Sequence, residues 1–226
     1  MPFEKLFFPL FIFSFLVSFI EYKSQAMSFY YVLRERNVNE ISKHLESGIN
    51  PDYLTGDFYW GDRNPLWFIL RRGGIDNLDL EIIHLLINYG ADVNLRPYIW
   101  HILDQRILTD ENIEWMQAAE GRVMLGTTVE LMLEKLYILI EAGADVNSRG
   151  APNRLLFPAT DSNYQHYFSQ EGTRPINHAI KNNLPDIVDL LLQYTFLDEE
   201  SLKAALESNS SNMIEKINLL WNLQEN

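Results

Sequence analysis

Asp92 with Asn94, and Asp145 with Asn147, place side-chain oxygens two residues apart at two points in the chain. On paper these are paired metal ligands. Both pairs, however, belong to one string, GADVN, spelled at Gly90–Asn94 and again at Gly143–Asn147. Each copy closes an apolar stretch, LEIIHLLINYGADVN and then LEKLYILIEAGADVN. Short polar side chains just past a helix end bond to nearby backbone, so turn chemistry is the better account of all four.

The remaining reactive side chains point the same way. The chain has no cysteine, which excludes a thiolate metal site, a cysteine nucleophile and a disulfide framework. HExxH, GxSxG, SxxK, GxGxxG and the P-loop pattern are all absent. His44, His84, His101, His166 and His178 are scattered. A metal centre needs about two to four convergent donors, so lone histidines are read as structural. His166, in Tyr164-Gln165-His166-Tyr167-Phe168, is the one candidate titrating group. Asp198-Glu199-Glu200 sits at a predicted helix start, where negative charge complements the helix dipole. No catalytic, cofactor-binding or metal-ligating residue is assigned, and no cofactor is expected.

The 226-residue chain is 47% hydrophobic and 22% charged, a globular composition. Its net charge of −13 argues against nonspecific binding to nucleic acid or anionic lipid. The first 26 residues stand apart: Lys5, an uncharged apolar run from Leu6 to Ile20, then a polar stretch ending Ser24-Gln25-Ala26. The run would be about 22 Å long as a helix, short of the roughly 30 Å of a bilayer core. Small residues at 24 and 26 suit signal-peptidase cleavage, so 1–26 reads as a signal peptide, with an uncleaved anchor as the alternative. Either places the rest outside the cytoplasm, periplasmic or secreted. The lack of cysteines leans toward a bacterial periplasm.

The rest of the chain is helical in grammar. Leu80, Ile83, Leu86 and Ile87 fall at helical spacing, as do Leu133, Leu136 and Ile140, and Ile187, Val188, Leu191 and Leu192. Thr127-x-x-Glu130 predicts a capping box, and Pro185 a first helical turn. Gly90 and Gly143 predict left-handed helix ends. No useful strand-like alternation appears, which argues against tandem βαβ units.

Four segments align on their ends: 39–52, 80–94, 133–147 and 185–198, the last with Thr195 in the glycine position. Upstream of the later three lie NPLWFIL (64–70), RPYIWHI (96–102) and RPINHAI (174–180). This grammar resembles the ankyrin repeat. The resemblance implies an all-α solenoid of about five helix pairs, with units near 27–52, 53–94, 95–147 and 148–195 and a polar-faced cap at 196–226. The opener departs from the family's Thr-Pro-Leu-His: its Thr becomes Asn64, Arg96 and Arg174, and its His becomes Trp67, Ile99 and Asn177. The aligned ends are 42, 53 and 52 residues apart, longer than the roughly 33 of the family. The excess is assigned to insertions near 53–63, 104–127 and 148–172, and an extra helix is expected at ENIEWMQAAEG.

The resemblance further implies an unknown protein partner on the concave face, and no enzymatic activity. Aromatic side chains in or beside the insertions are the candidate contacts: Phe58, Tyr59, Trp60, Tyr98, Trp100, Tyr164, His166, Tyr167 and Phe168. A buried satellite core is the alternative for these rings. Trp67 is expected to pack between repeats, and Tyr30 and Tyr31 within the first. An enzyme or small-ligand protein with a site under the insertions is the competing reading. Membrane contact is expected only if residues 1–26 are retained.

Overall fold

Among the described residues, six helix ends are closed by a residue with positive φ. The computed structural model describes residue 25 and residues 27–52, 64–71, 77–105, 107, 127–150 and 172–224. Ten helices occur among them: α1 (27–35), α2 (Val38–Glu46), α3 (Pro65–Arg71), α4 (Leu78–Asn88), α5 (Tyr98–Leu103), α6 (Val129–Glu141), α7 (Pro175–Lys181), α8 (Pro185–Leu191), α9 (Glu199–Glu207) and α10 (Ser211–Gln224). No strand is present among the described residues, so the fold is all-α there. The segment 1–24, the insertion 53–63 and the proposed extra helix at ENIEWMQAAEG lie outside them.

Arg36, Asn183 and Asn209 take positive φ of 57°, 55° and 54° between α1 and α2, α7 and α8, and α9 and α10. Gly48, Gly90 and Gly143 take φ near +90° after α2, α4 and α6. A side chain is strained in that region, which is why glycine ends these helices. The backbone completes each stop: Ala91 N–H donates to Leu86 C=O at 3.0 Å, and Ala144 N–H to Leu139 C=O at 2.9 Å.

Starts are equally local. Asn37 caps α2 by accepting from Glu40 N–H at 3.2 Å. Asn64 Oδ1 accepts from Trp67 N–H at 2.9 Å at the head of α3. Asp198 and Ser201 form a reciprocal capping box on α9. Pro185 opens α8 as expected. The predicted capping box at Thr127 is replaced by a single cap one residue later. Thr128 is the cap of α6, accepting from Leu131 N–H at 3.2 Å. Thr127 is buried and forms an isolated β-bridge with Ile107, which takes it out of the capping role.

The pairs pack in chain order as two layers. In one, α3 contacts α5, α5 contacts α7, and α7 contacts α9. In the other, α2 contacts α4, α4 contacts α6, and α6 contacts α8. One continuous hydrophobic core runs from Phe29 to Ile217. Its repeat is visible at aligned positions: Ile82, Ile83 and Leu86; Lys135, Leu136 and Leu139; Ile187, Val188 and Leu191, each fully buried. Burial of each apolar member contributes about 1.5–3 kcal/mol. The buried stripe of α4 is therefore Ile82, Ile83 and Leu86, while Leu80 and Ile87 from the predicted stripe are half-buried.

Two core positions carry charge. Lys135 occupies the place of Ile82 and Ile187. Asp79, fully buried, occupies the place of Met132 and Leu184, and Arg36 Nε reaches it at 2.8 Å from the α1–α2 turn. The last pair departs from the expected polar outer face. Met213 and Ile217 form the buried side of α10, so Leu219 and Leu223 fall well around the helix and are 61% and 67% exposed; Leu206 on α9 is exposed too.

Candidate interaction surface

Tyr98 and Trp100, expected as exposed contacts, are buried within the stack. They are 1% and 5% exposed, because α5 sits between α3 and α7 and turns both rings inward. Tyr98 Oη accepts a hydrogen bond from Asn64 Nδ2, and burial, only partly offset by that bond, pushes the phenol well above its ordinary pKa. Trp100 lies so close to Gly150 that a Cβ there would stand 1.9 Å from the indole. Phe58, Tyr59, Trp60, Tyr164, His166, Tyr167 and Phe168 lie outside the described residues.

The bases of two insertions are described. Ile107 pairs with Thr127 across 108–126, and Gly150 pairs with Thr173 across 151–171, with Gly150 N–H donating to Thr173 C=O at 3.2 Å. Arg149 Nη1 reinforces the second base by donating to Gly172 C=O at 2.9 Å.

The GADVN residues act as turn and spacer. Asp92 accepts from Asn94 N–H at 2.8 Å, and Asp145 from Asn147 N–H at 2.9 Å. Asn50 does the same for Asp52 N–H at 2.8 Å. The last residue of each turn then reaches the next unit. Asp52 accepts from Asp92 N–H at 2.9 Å, Asn94 from Asp145 N–H at 2.7 Å, and Asn147 from Thr195 Oγ1 at 2.6 Å. These oxygens are occupied by backbone and side-chain donors, which is the turn chemistry expected of them. Among the described residues no three His, Asp or Glu side chains converge as a metal centre would require.

The histidines of the first-helix layer join a row of rings. Trp67 meets His101 edge-on at 6.2 Å, Trp100 meets His101 at 5.8 Å, and Trp100 meets His178 at 5.3 Å. Trp67, with Arg96 Cζ 5.8 Å above its ring, packs between neighbouring pairs as expected. Burial lowers the His178 pKa from its ordinary value, outweighing the nearby Asp104 carboxylate. Tyr30 packs forward on Phe68 at 5.3 Å and meets Tyr31 edge-on at 6.1 Å, with the outer side of Tyr31 left 54% exposed. His84 is exposed and His44 half-buried.

Arg174 is the polar hub that residue types alone did not reveal. It is 5% exposed and donates to Asp198 Oδ2 (2.5 Å), Asn147 Oδ1 (3.0 Å), Thr195 Oγ1 (2.5 Å) and Phe196 C=O (3.0 Å). Its Cζ lies 5.0 Å from the centre of the Phe196 ring. The network continues through Ser201 to Asn177 at 2.6 Å. Burial would raise the Asp198 pKa, but hydrogen bonds from Arg174 and Ser201 prevail and hold it below the ordinary value. Every group is satisfied by another, which describes a structural clamp between α7 and α9 rather than reactive machinery. The signal in the sequence was the Arg-Pro opener combined with Asp198 at the next helix start.

The second-helix layer carries a feature that periodicity placed in the core. Leu80 and His84 of α4, Leu133, Glu134, Tyr137 and Ile138 of α6, and Leu190 of α8 line a predominantly apolar groove of about 430 Å³. Leu80 and Leu133 head aligned segments, and Ile138 and Leu190 are likewise aligned, so the groove follows the repeat.

No family model matches the chain, and no curated protein matches it either.

Proposed function

We propose that residues 27–226 are an ankyrin-repeat solenoid that serves as a non-enzymatic protein-binding module outside the cytoplasm. The observation that carries this reading is the turn ladder: Asp52, Asn94 and Asn147, at one aligned position, each hold the turn of the next helix pair. Such nearest-neighbour coupling is how stacked repeats hold together, and a rigid stack is a preorganised binding scaffold. The openers support it as well. Asn64 caps its helix where the family has Thr, and Asn177 reaches the next unit through Ser201.

Partner contact is assigned to the first-helix side and to the insertion aromatics Phe58, Tyr59, Trp60, Tyr164, His166, Tyr167 and Phe168. Residues 1–26 are assigned to export, as a cleaved signal. Among the described residues no helix is long and apolar enough to cross a membrane.

The test is crosslinked capture from the native compartment, followed by mass spectrometry. Tyr59→Ala with Trp60→Ala should abolish capture while far-UV circular dichroism and Tm stay near wild type. Unchanged capture by that variant, or a reaction catalysed by purified protein, would overturn the reading. Intact mass of the exported chain checks the leader: a mature N-terminus at Met27 is expected, and a retained Met1 opposes cleavage.

A further inference from the structure

The groove on α4, α6 and α8 has a chemistry of its own. Its floor is apolar: Leu80, Leu133, Ile138 and Leu190, with Tyr137 54% exposed above it. One lining residue, Glu134, is acidic, and its counterparts on the neighbouring helices are acidic too. Glu81, Glu134 and Asp186 occupy aligned positions on the three helices, and all three are exposed. Glu130 and Glu141 extend the exposed line on α6 through Glu134 and Tyr137, at helical spacing. These helices carry no arginine, and their single lysine, Lys135, is fully buried. At the α8 end Lys216 of α10 pairs with Asp189 at 2.7 Å and donates to Pro185 C=O at 3.2 Å, so the acidic line is least screened along α4 and α6.

We propose that this groove is a second docking site, which takes a basic amphipathic helix from a partner protein. Leucine-like side chains on one face of that helix would fill the apolar floor. Lysine or arginine along its margins would meet Glu81, Glu134 and Asp186. A helix laid in an apolar groove is an established recognition mode, and complementary charge sets its specificity and its rate of encounter. A second copy of this chain would bring the same acidic line against itself, in a molecule already at −13, and like charges oppose that. The site lies on the other helix layer from the one assigned to the partner above, so the two proposals stand or fall separately.

The probe is a fluorescein-labelled peptide of about 18 residues, roughly 27 Å as a helix, with leucine on one face and lysine beside it. Anisotropy is read on titration with the full chain at about 0.1 M salt, where surface charges still act over about 10 Å. Two comparators are used: the same composition with the leucine stripe scattered, and glutamate in place of lysine. The striped basic peptide should bind and both comparators should bind far more weakly. Tyr137→Ala and Glu134→Lys, both at exposed side chains, should each weaken binding about tenfold. Glu215→Lys on α10 should leave it unchanged, as should Tyr59→Ala with Trp60→Ala. Equal binding of the scattered peptide, or equal weakening by Glu134→Lys and Glu215→Lys, would show charge alone and overturn the proposal. So would self-association of the chain that Tyr137→Ala abolishes, since the groove would then belong to a second copy.

Discussion

Asn94 joins two turns that lie 51 residues apart: its Oδ1 accepts from Asp145 N–H at 2.7 Å, and its Nδ2 donates to Gly143 C=O at 2.9 Å. One amide therefore satisfies a donor and an acceptor at the end of the next helix. Asn94→Ala removes both bonds. At about 0.5–1.5 kcal/mol each, the expected loss is about 1–2 kcal/mol, at the lower end because the site is exposed. Asn94→Asp keeps the acceptor but turns an oxygen toward Gly143 C=O, and should fall between the two. Urea denaturation checks this; an Asn94→Ala variant as stable as wild type would show that the ladder contributes nothing.

Asp79 occupies a core position that is Met132 and Leu184 in the aligned units, and it depends on Arg36 at 2.8 Å. Arg36→Met leaves a buried carboxylate without this cation, which typically costs about 3–5 kcal/mol. Adding Asp79→Leu should restore most of that loss, because the double variant reinstates the apolar pattern of the other units. The measurement is a double-mutant cycle by chemical denaturation. Additive losses would mean that the pair is not coupled.

Gly150 and Trp100 should be coupled in the same way. A Cβ at position 150 would fall 1.9 Å from the indole, so Gly150→Ala must displace the ring or the backbone. Overpacking of this kind costs about 1–3 kcal/mol. Trp100→Ala alone should cost about 3–5 kcal/mol. In the Trp100→Ala background, Gly150→Ala should cost little, since its obstacle is gone. Thermal unfolding of the four proteins decides it, and a full Gly150→Ala penalty in both backgrounds would refute the contact.

His178 and Asp198 predict two separate acid-sensitive windows. Burial lowers the folded-state pKa of His178, so the unfolded chain binds the proton more tightly. Its stability contribution is complete above the ordinary value of 6.5 and is lost as pH falls through the lowered value. Burial opposes ionisation of Asp198, but Arg174 and Ser201 outweigh it, so its folded pKa is also lowered. That contribution is complete above 3.8 and disappears as pH falls further. Urea midpoints measured from pH 8 to pH 2 should fall in both windows. His178→Gln should flatten the upper one only, and Asp198→Asn the lower one only.

Helix content, helix order and the glycine stops were determined by the sequence itself, because they rest on local rules. A helix needs a 3–4 apolar spacing, a start and a residue that can turn left at its end, and all of these are written within a few positions. The doubled GADVN could likewise be assigned to turn chemistry, since an oxygen two residues from a free N–H is a local arrangement.

Tertiary packing decided the rest. Thr127 reads as a cap, but its bridge to Ile107 passes the role to Thr128. Tyr98 and Trp100 read as contacts beside an insertion, but α5 lies between two neighbours and turns them inward. Leu80 and Leu133 read as core, but both are only half-buried and line a groove. Arg174 found its four acceptors across as many as 27 residues of chain. In each case the deciding partner is distant in sequence. Burial depends on what a neighbouring helix covers, and helical spacing alone does not specify that neighbour.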